Sequence, residues 1–141
     1  MTLSTGDATA VTDTSVALAA IMEDHVAHEA CVNSVRTHRA AIAGHALFET
    51  FSVLTRLPGR SRLTAATARR ILDHNFPVRV WLDSAQCERT FDDMMSAGVA
   101  GGAVYDALVA ASAQITGLPL LTRDERAMGT YRRLGIEVVL V

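Results

Sequence analysis

LPLLTRDERAMGTYRRLGIEVVLV, residues 118–141, is the stretch whose reading decides the fold. LPLLT (118–122) is a short apolar run of strand length, RDERAMGTYRRLG reads as a helix closed by Gly135, and IEVVLV (136–141) is a last strand. A strand, a helix and a second strand in succession point to parallel neighbours, because parallel pairing needs a helical crossover.

The same alternation recurs upstream. ATAVT (8–12) is a β-prone run ending at Asp13, and TSVALAAIM reads as a helix with Thr14 or Ser15 available as its cap. HVAHEACVNSVRTHR (25–39) has helical spacing through Val26, Ala30, Val32 and Val35, AAIAG (40–44) is a brief strand, and a helix carrying Glu49 runs from about His45 to Leu57. Pro58 and Gly59 stop it; LTAATARRILDHN (63–75) starts another helix with Thr64 as cap, and VRVWL (78–82) supplies a strand. Ser84 to Ala97 is helical, Gly98 to Gly102 is a glycine-rich connection, and AVYDALVAASAQITG (103–117) is a periodic helix ended by Gly117, with Asp106 in its first turn. The expectation is an α/β fold in one domain over residues 1–141, with a mainly parallel central sheet covered on both faces.

Half of the 141 residues are hydrophobic, enough to bury a core without disulfides, and no apolar run approaches a membrane span. MTLSTGDATA lacks the basic and apolar segments of a secretory signal, so a soluble, cytoplasmic protein is expected. Cys31 and Cys87 stand outside any CxxC pattern and read as reduced packing residues, which excludes a cysteine zinc site. The net charge of −2 argues against a generic basic nucleic-acid binder. All thirteen basic residues are arginine. The missing lysine excludes phosphoacceptor receiver domains and haloacid-dehalogenase-like phosphatases; the latter also want a DxDxT-like motif, where Asp13 is followed by Thr14, Ser15 and Val16.

Ligands of open parallel sheets bind beyond the carboxyl ends of the strands, and Asp13 and Asp124 both fall at such ends. Glu49 and Asp106, near helix starts, can approach the same edge. Two carboxylates about 4 Å apart repel by roughly 4 kcal/mol at an effective dielectric near 20, so a cluster of four demands a positive partner. All-oxygen ligation favours Mg²⁺ or Mn²⁺, and such ions activate water and stabilise charge on a phosphoryl group. Taken singly, each acid has a plainer reading as a helix cap; Asp7, Asp24, Asp73, Asp83, Glu88, Asp92 and Asp93 are read that way or as solvated surface.

Four segments together, VTDTSVALAA, HALFETFSVLTRLPG, GGAVYDALVAASA and LPLLTRDERA, resemble the PIN-domain ribonucleases, and specifically the VapC-type toxins of bacterial toxin–antitoxin pairs. The resemblance spans nearly the whole chain and carries over Asp13, Glu49, Asp106 and Asp124 as the catalytic and metal-holding acids, with Glu49 either a ligand or the group that positions water. It matches Thr14, Ser15 and Thr122 to hydroxyl positions whose hydrogen bonds orient those carboxylates or bound water. What it implies is a three-layer α/β/α sandwich, Mg²⁺- or Mn²⁺-dependent endonucleolytic hydrolysis of a structured RNA such as tRNA or rRNA, a homodimer, and inhibition by a VapB-type antitoxin. One departure is that several residues precede the first strand. The alternative function is a non-catalytic PIN-like binding or dimerisation module whose acids a partner neutralises.

On the substrate side, no acid lies between Glu49 and Asp73, while Arg56, Arg60, Arg62, Arg69 and Arg70 fall in that window; Arg56, Arg60 and Arg62 are the candidate phosphate contacts. Phe48, Phe51, Phe91 and Trp81 sit at positions expected to be buried, leaving no base-stacking platform. His45, four residues before Glu49 on one helix face, is a neighbour of the site and not a ligand; His25 and His28, at i,i+3, are read as an exposed helix face.

Overall fold

The computed structural model describes residues 5–141. Five strands, β1 (Val11–Thr12), β2 (Ala41–Ala43), β3 (Arg79–Val80), β4 (Leu120–Thr122) and β5 (Val138–Leu140), form one sheet in the order β3-β2-β1-β4-β5. All four strand pairings are parallel. Each strand is shorter than the apolar run that announces it, because the ladder is held only where neighbouring strands overlap in register.

Seven helices make the crossovers: α1 (Thr14–Ile21), α2 (His28–His38), α3 (Gly44–Thr55), α4 (Ala65–Asn75), α5 (Ser84–Ser96), α6 (Ala103–Thr116) and α7 (Met128–Arg133). α1 packs on α2 and α3, α3 on α4 and α6, and α6 on α5 and α7. The two-residue period of a strand sorts the apolar side chains into separate cores. Val11 and Leu120 join one with Ile42, Phe76, Val80 and Tyr131, while the adjacent Ala10 and Leu121 join another with Val16, Ala19 and Cys31. β1, β2 and β4 are thus buried on both faces, the α/β/α arrangement expected, while the edge strand β5 leaves Val139 and Leu140 exposed.

Several local expectations shift. α1 is capped by Asp13, whose side chain accepts from the Val16 amide, rather than by Thr14 or Ser15. The second helix begins at His28, leaving Val26 exposed. The last helix is split into a 3-10 turn at Glu125–Ala127 and α7, after which Gly135 takes the positive φ of 71° that lets the chain turn into β5. Thr64 caps α4 through the Thr67 amide, and Asp83 forms a reciprocal capping box with Gln86 on α5. Asp73 pairs with Arg69 and Arg79, and Asp7 with Arg39, surface roles as read from the sequence.

Both cysteines are free, but only Cys31 packs in the core; Cys87 is exposed. His28 is half-buried, its Nδ1 2.9 Å from the Ala19 carbonyl, so it ties α2 to α1 and does not decorate an open face. Among the described residues no helix is long and apolar enough to cross a membrane. The N-terminal reading rests partly on residues 1–4, which lie outside the described residues.

The aromatic expectation fails. Phe48, Trp81 and Phe91 are 66%, 46% and 60% exposed, and Phe51 is only half-buried. Small side chains explain this: buried Ala46, Ala110 and Ala113 on the helices and Ala43 on β2 bring backbones close, so the layer between sheet and helices takes in only the rings of Phe76 and Tyr131 fully.

Candidate active site

The strand order reverses direction at β1, which lies between β2, the next strand in sequence, and β4. Such a switch point opens a crevice where flanking crossovers leave in opposite directions. Asp13 follows β1 and Asp124 follows β4 by two residues, so both acids stand at this crevice. Glu49 comes in on α3 and Asp106 on the first turn of α6.

Asp13 is 4% exposed. Its Oδ1 accepts from the Ser15 hydroxyl at 2.7 Å and from the Val16 amide at 3.1 Å; its Oδ2 accepts from the Thr122 hydroxyl and, at 3.4 Å, from that of Tyr131. Burial pushes its carboxyl above the usual range, and the bonds from Ser15, Thr122 and Val16 oppose that rise. Thr122 also accepts from the Asp124 amide at 3.0 Å, and Ser15 from the Arg123 amide at 2.8 Å, so these two hydroxyls stitch the ends of β1 and β4 together.

Glu49 is held at both oxygens. Oε2 accepts from the Thr14 hydroxyl at 2.9 Å, and Oε1 lies 2.6 Å from His45 Nε2, a close approach whose angle departs from that of an aligned hydrogen bond. These contacts, His45 foremost, hold its carboxyl below the usual range. The His45 ring in turn stacks on Tyr105, centroids 5.2 Å apart and planes within 6°.

Asp106 differs from its neighbours in that no protein donor is described for its carboxylate. Burial, then the charges of Asp124, Glu49 and Asp13, push it up to about 6, with Arg126 opposing. Arg126 reaches Asp124 at 3.4 Å from an almost fully exposed position. Asp106 thus feels the charge of each of the other three acids, and Arg126, the arginine that opposes them, is at the rim. Among the described residues no three acidic, histidine or cysteine side chains close into a cage around one ion. An open cluster of oxygen donors suits Mg²⁺, which retains several waters and takes one or two carboxylates directly.

Thr14, Ser15 and Thr122 thus bond to the acids as the sequence suggested, whereas Arg56, Arg60 and Arg62 lie exposed beyond the far end of α3, about two turns from Glu49. Tyr131 and the full role of His45 were missed. Tyr131 stands seven residues after Asp124 on a short helix, and a buried hydroxyl there needs a partner; that was the available signal.

Residues 10–134 match the model of the PIN domain family. Among curated relatives, Ribonuclease VapC27 of Mycobacterium tuberculosis is 44% identical over 91% of this chain and 93% of its own length. Ribonuclease VapC40 of the same organism is 42% identical over 92% and 96%. Among solved structures, FitAB bound to the IR36 DNA fragment superposes with a TM-score of 0.70 at 14% identity, covering 93% of this chain and 94% of that one. VapBC2 from Rickettsia felis, bound to a DNA fragment from its promoter, gives 0.65 at 14% identity, covering 94% and 98%. Such low identities speak to the fold; the family match and the relatives above 40% identity speak to descent, and by both measures this chain belongs to the PIN-domain family, as a relative of its VapC ribonucleases.

Proposed function

We propose that this chain is the toxin of a toxin–antitoxin pair, a Mg²⁺- or Mn²⁺-dependent endoribonuclease that hydrolyses phosphodiesters of a structured RNA such as tRNA or rRNA in the cytoplasm. The observation that carries the reading is the setting of Asp106, whose carboxyl is raised by burial first and then by the charges of three other acids, in a chain that aligns almost end to end with ribonucleases. A fold keeps such repulsion only where a cation relieves it in use.

A bound divalent ion supplies positive charge and a water of lowered pKa. Asp106, with no described protein donor, and Asp124 and Asp13 are the residues to hold it. Asp13 is kept in one orientation by bonds from Ser15, Val16, Thr122 and Tyr131, the Tyr131 contact at 3.4 Å being the longest and the first that an ion would displace. Glu49, bonded at one oxygen by the Thr14 hydroxyl and closely approached at the other by His45, is assigned to orienting the attacking water rather than to direct ligation. The VapBC2 complex supports a VapB-type antitoxin as partner. Phe91 and Met95, exposed one turn apart on α5, are the surface we assign to a homodimer contact.

The test is to incubate purified protein with mixed cellular RNA in Mg²⁺, in EDTA, and as Asp106→Asn. Cleavage that survives both EDTA and the substitution would sink the metal–carboxylate reading. A binding-only module predicts unimpaired growth when the chain is induced without its partner; growth arrest relieved by Asp13→Ala favours the nuclease.

A further inference from the structure

The chain has four phenylalanines, two tyrosines and one tryptophan, so each exposed ring needs a reason. Tyr105 is 55% exposed in the first turn of α6, one residue before Asp106. One face of its ring is covered by the parallel imidazole of His45, which is itself fixed against Glu49. The ring is thereby braced to two of the four acids, through the chain to Asp106 and through His45 to Glu49. We propose that Tyr105, backed by His45, is a substrate-positioning residue that stacks on a nucleobase next to the phosphodiester being cut.

The inference rests on the nuclease reading and adds the contact that seats the substrate. Stacking on an aromatic ring is tolerant of base identity because every base has a π face, and it contributes most when the ring is already immobilised. Tyr105 satisfies that condition, since the His45 stack restricts its rotamer before any ligand arrives. A net charge of −2 leaves the protein little general attraction for RNA, so stacking can add to whatever phosphate contacts the arginines make. A second exposed pair lies one turn along α3, where Phe48 meets Trp81 edge to face at 5.9 Å. Gly44 leaves that tryptophan room: a Cβ there would lie 2.5 Å from Trp81 Cε3. Rings thus run from β3 toward the acids along one helix.

The test uses short single-stranded RNAs carrying the fluorescent base aminopurine at successive positions, whose emission is quenched on stacking. They are titrated into the full-length protein in Ca²⁺, Mg²⁺ is then added, and fragments are scored on a gel. We expect quenching with the wild type and with Tyr105→Phe. Tyr105→Leu, which keeps apolar bulk without a π face, should lose the quench and bind about tenfold or more weakly, with an unchanged melting temperature and oligomeric mass. Equal binding and quenching by Tyr105→Leu overturns the proposal, as does a change in its oligomeric mass, which would put the ring under a second copy of the chain. Cleavage by a wild type that never quenches overturns stacking and leaves the nuclease standing. Tyr105-dependent quenching with no fragments in Mg²⁺ does the reverse.

Discussion

The Thr122 hydroxyl, at the end of β4, donates to the buried Asp13 carboxylate at the end of β1, joining residues 109 apart in sequence across the switch point of the sheet. The same oxygen accepts the Asp124 amide. One threonine therefore positions two of the acids.

Replacing Thr122 by valine removes that donor at constant shape and leaves Asp13 buried with one bond fewer. The expected loss is about 1–3 kcal/mol of unfolding free energy, read as a lowered urea midpoint, with Thr122→Ser retaining most of it. A Thr122→Val protein as stable as the wild type would show that the bond contributes nothing.

Thr12 offers the opposite case. Its Oγ1 is buried with no hydrogen-bond partner described, so Thr12→Val replaces an unsatisfied hydroxyl by a methyl group. We expect a gain of up to about 1 kcal/mol in the same urea experiment, and a loss of similar size would reveal a partner for that oxygen.

Asp106 gives stability a pH dependence of defined sign. Its folded carboxyl, pushed up to about 6, binds a proton more tightly than the unfolded chain, whose value is 3.8. Between those values the native state holds more protons, so this group's contribution to stability is full below the unfolded value and is lost as pH rises through the folded one. In EDTA the melting temperature of the wild type should fall from pH 4 to 7 relative to Asp106→Asn, and the variant should be the more stable at pH 7. Mg²⁺ should raise the wild type at pH 7 and leave the variant nearly unmoved. An Asp106→Asn protein that melts below the wild type in EDTA at pH 7 contradicts the repulsion.

Gly44→Ala sets two effects against each other. Alanine favours a helix by about 1 kcal/mol over glycine. Its Cβ would meet Trp81 at 2.5 Å and the Val80 carbonyl at 3.0 Å, and displacing ring and strand costs about 1–3 kcal/mol. Net destabilisation and a red-shifted tryptophan emission are expected; an unshifted spectrum would mean the ring is not held against α3.

The double variant Arg56→Ala, Arg60→Ala tests the basic window beyond α3. If each guanidinium neutralises one phosphate of a single strand, its removal should reduce the slope of log affinity against log salt by about 0.7. An unchanged slope in a titration series assigns these arginines to solvated surface.

Much of this was legible in the chain itself. Short apolar runs and helical spacings announced each strand and α-helix but neither 3-10 turn, since backbone pairing and burial act through local pattern, and the TRDERA and VYDALVAA contexts marked the acids. The exposure of Phe48, Trp81 and Tyr105 was not legible, because it depends on how closely alanine-lined helices approach the sheet, a property of the packed layer rather than of any one segment. Nor was the bridge from Tyr131 to Asp13, which needs α7 folded back over β1.

The sequence by itself determined an alternating α/β chain, which follows from local periodicity, and put Asp13 and Asp124 at strand ends; the four acids as a set came from the family-like contexts around them. Tertiary structure alone decided that β1 and β4 are neighbours, that Thr14 and His45 hold Glu49 at its two oxygens, and that Asp106 is the carboxylate without a described protein partner. The physical reason is that hydrogen bonds and charge repulsion between residues tens of positions apart exist only once the sheet order is fixed.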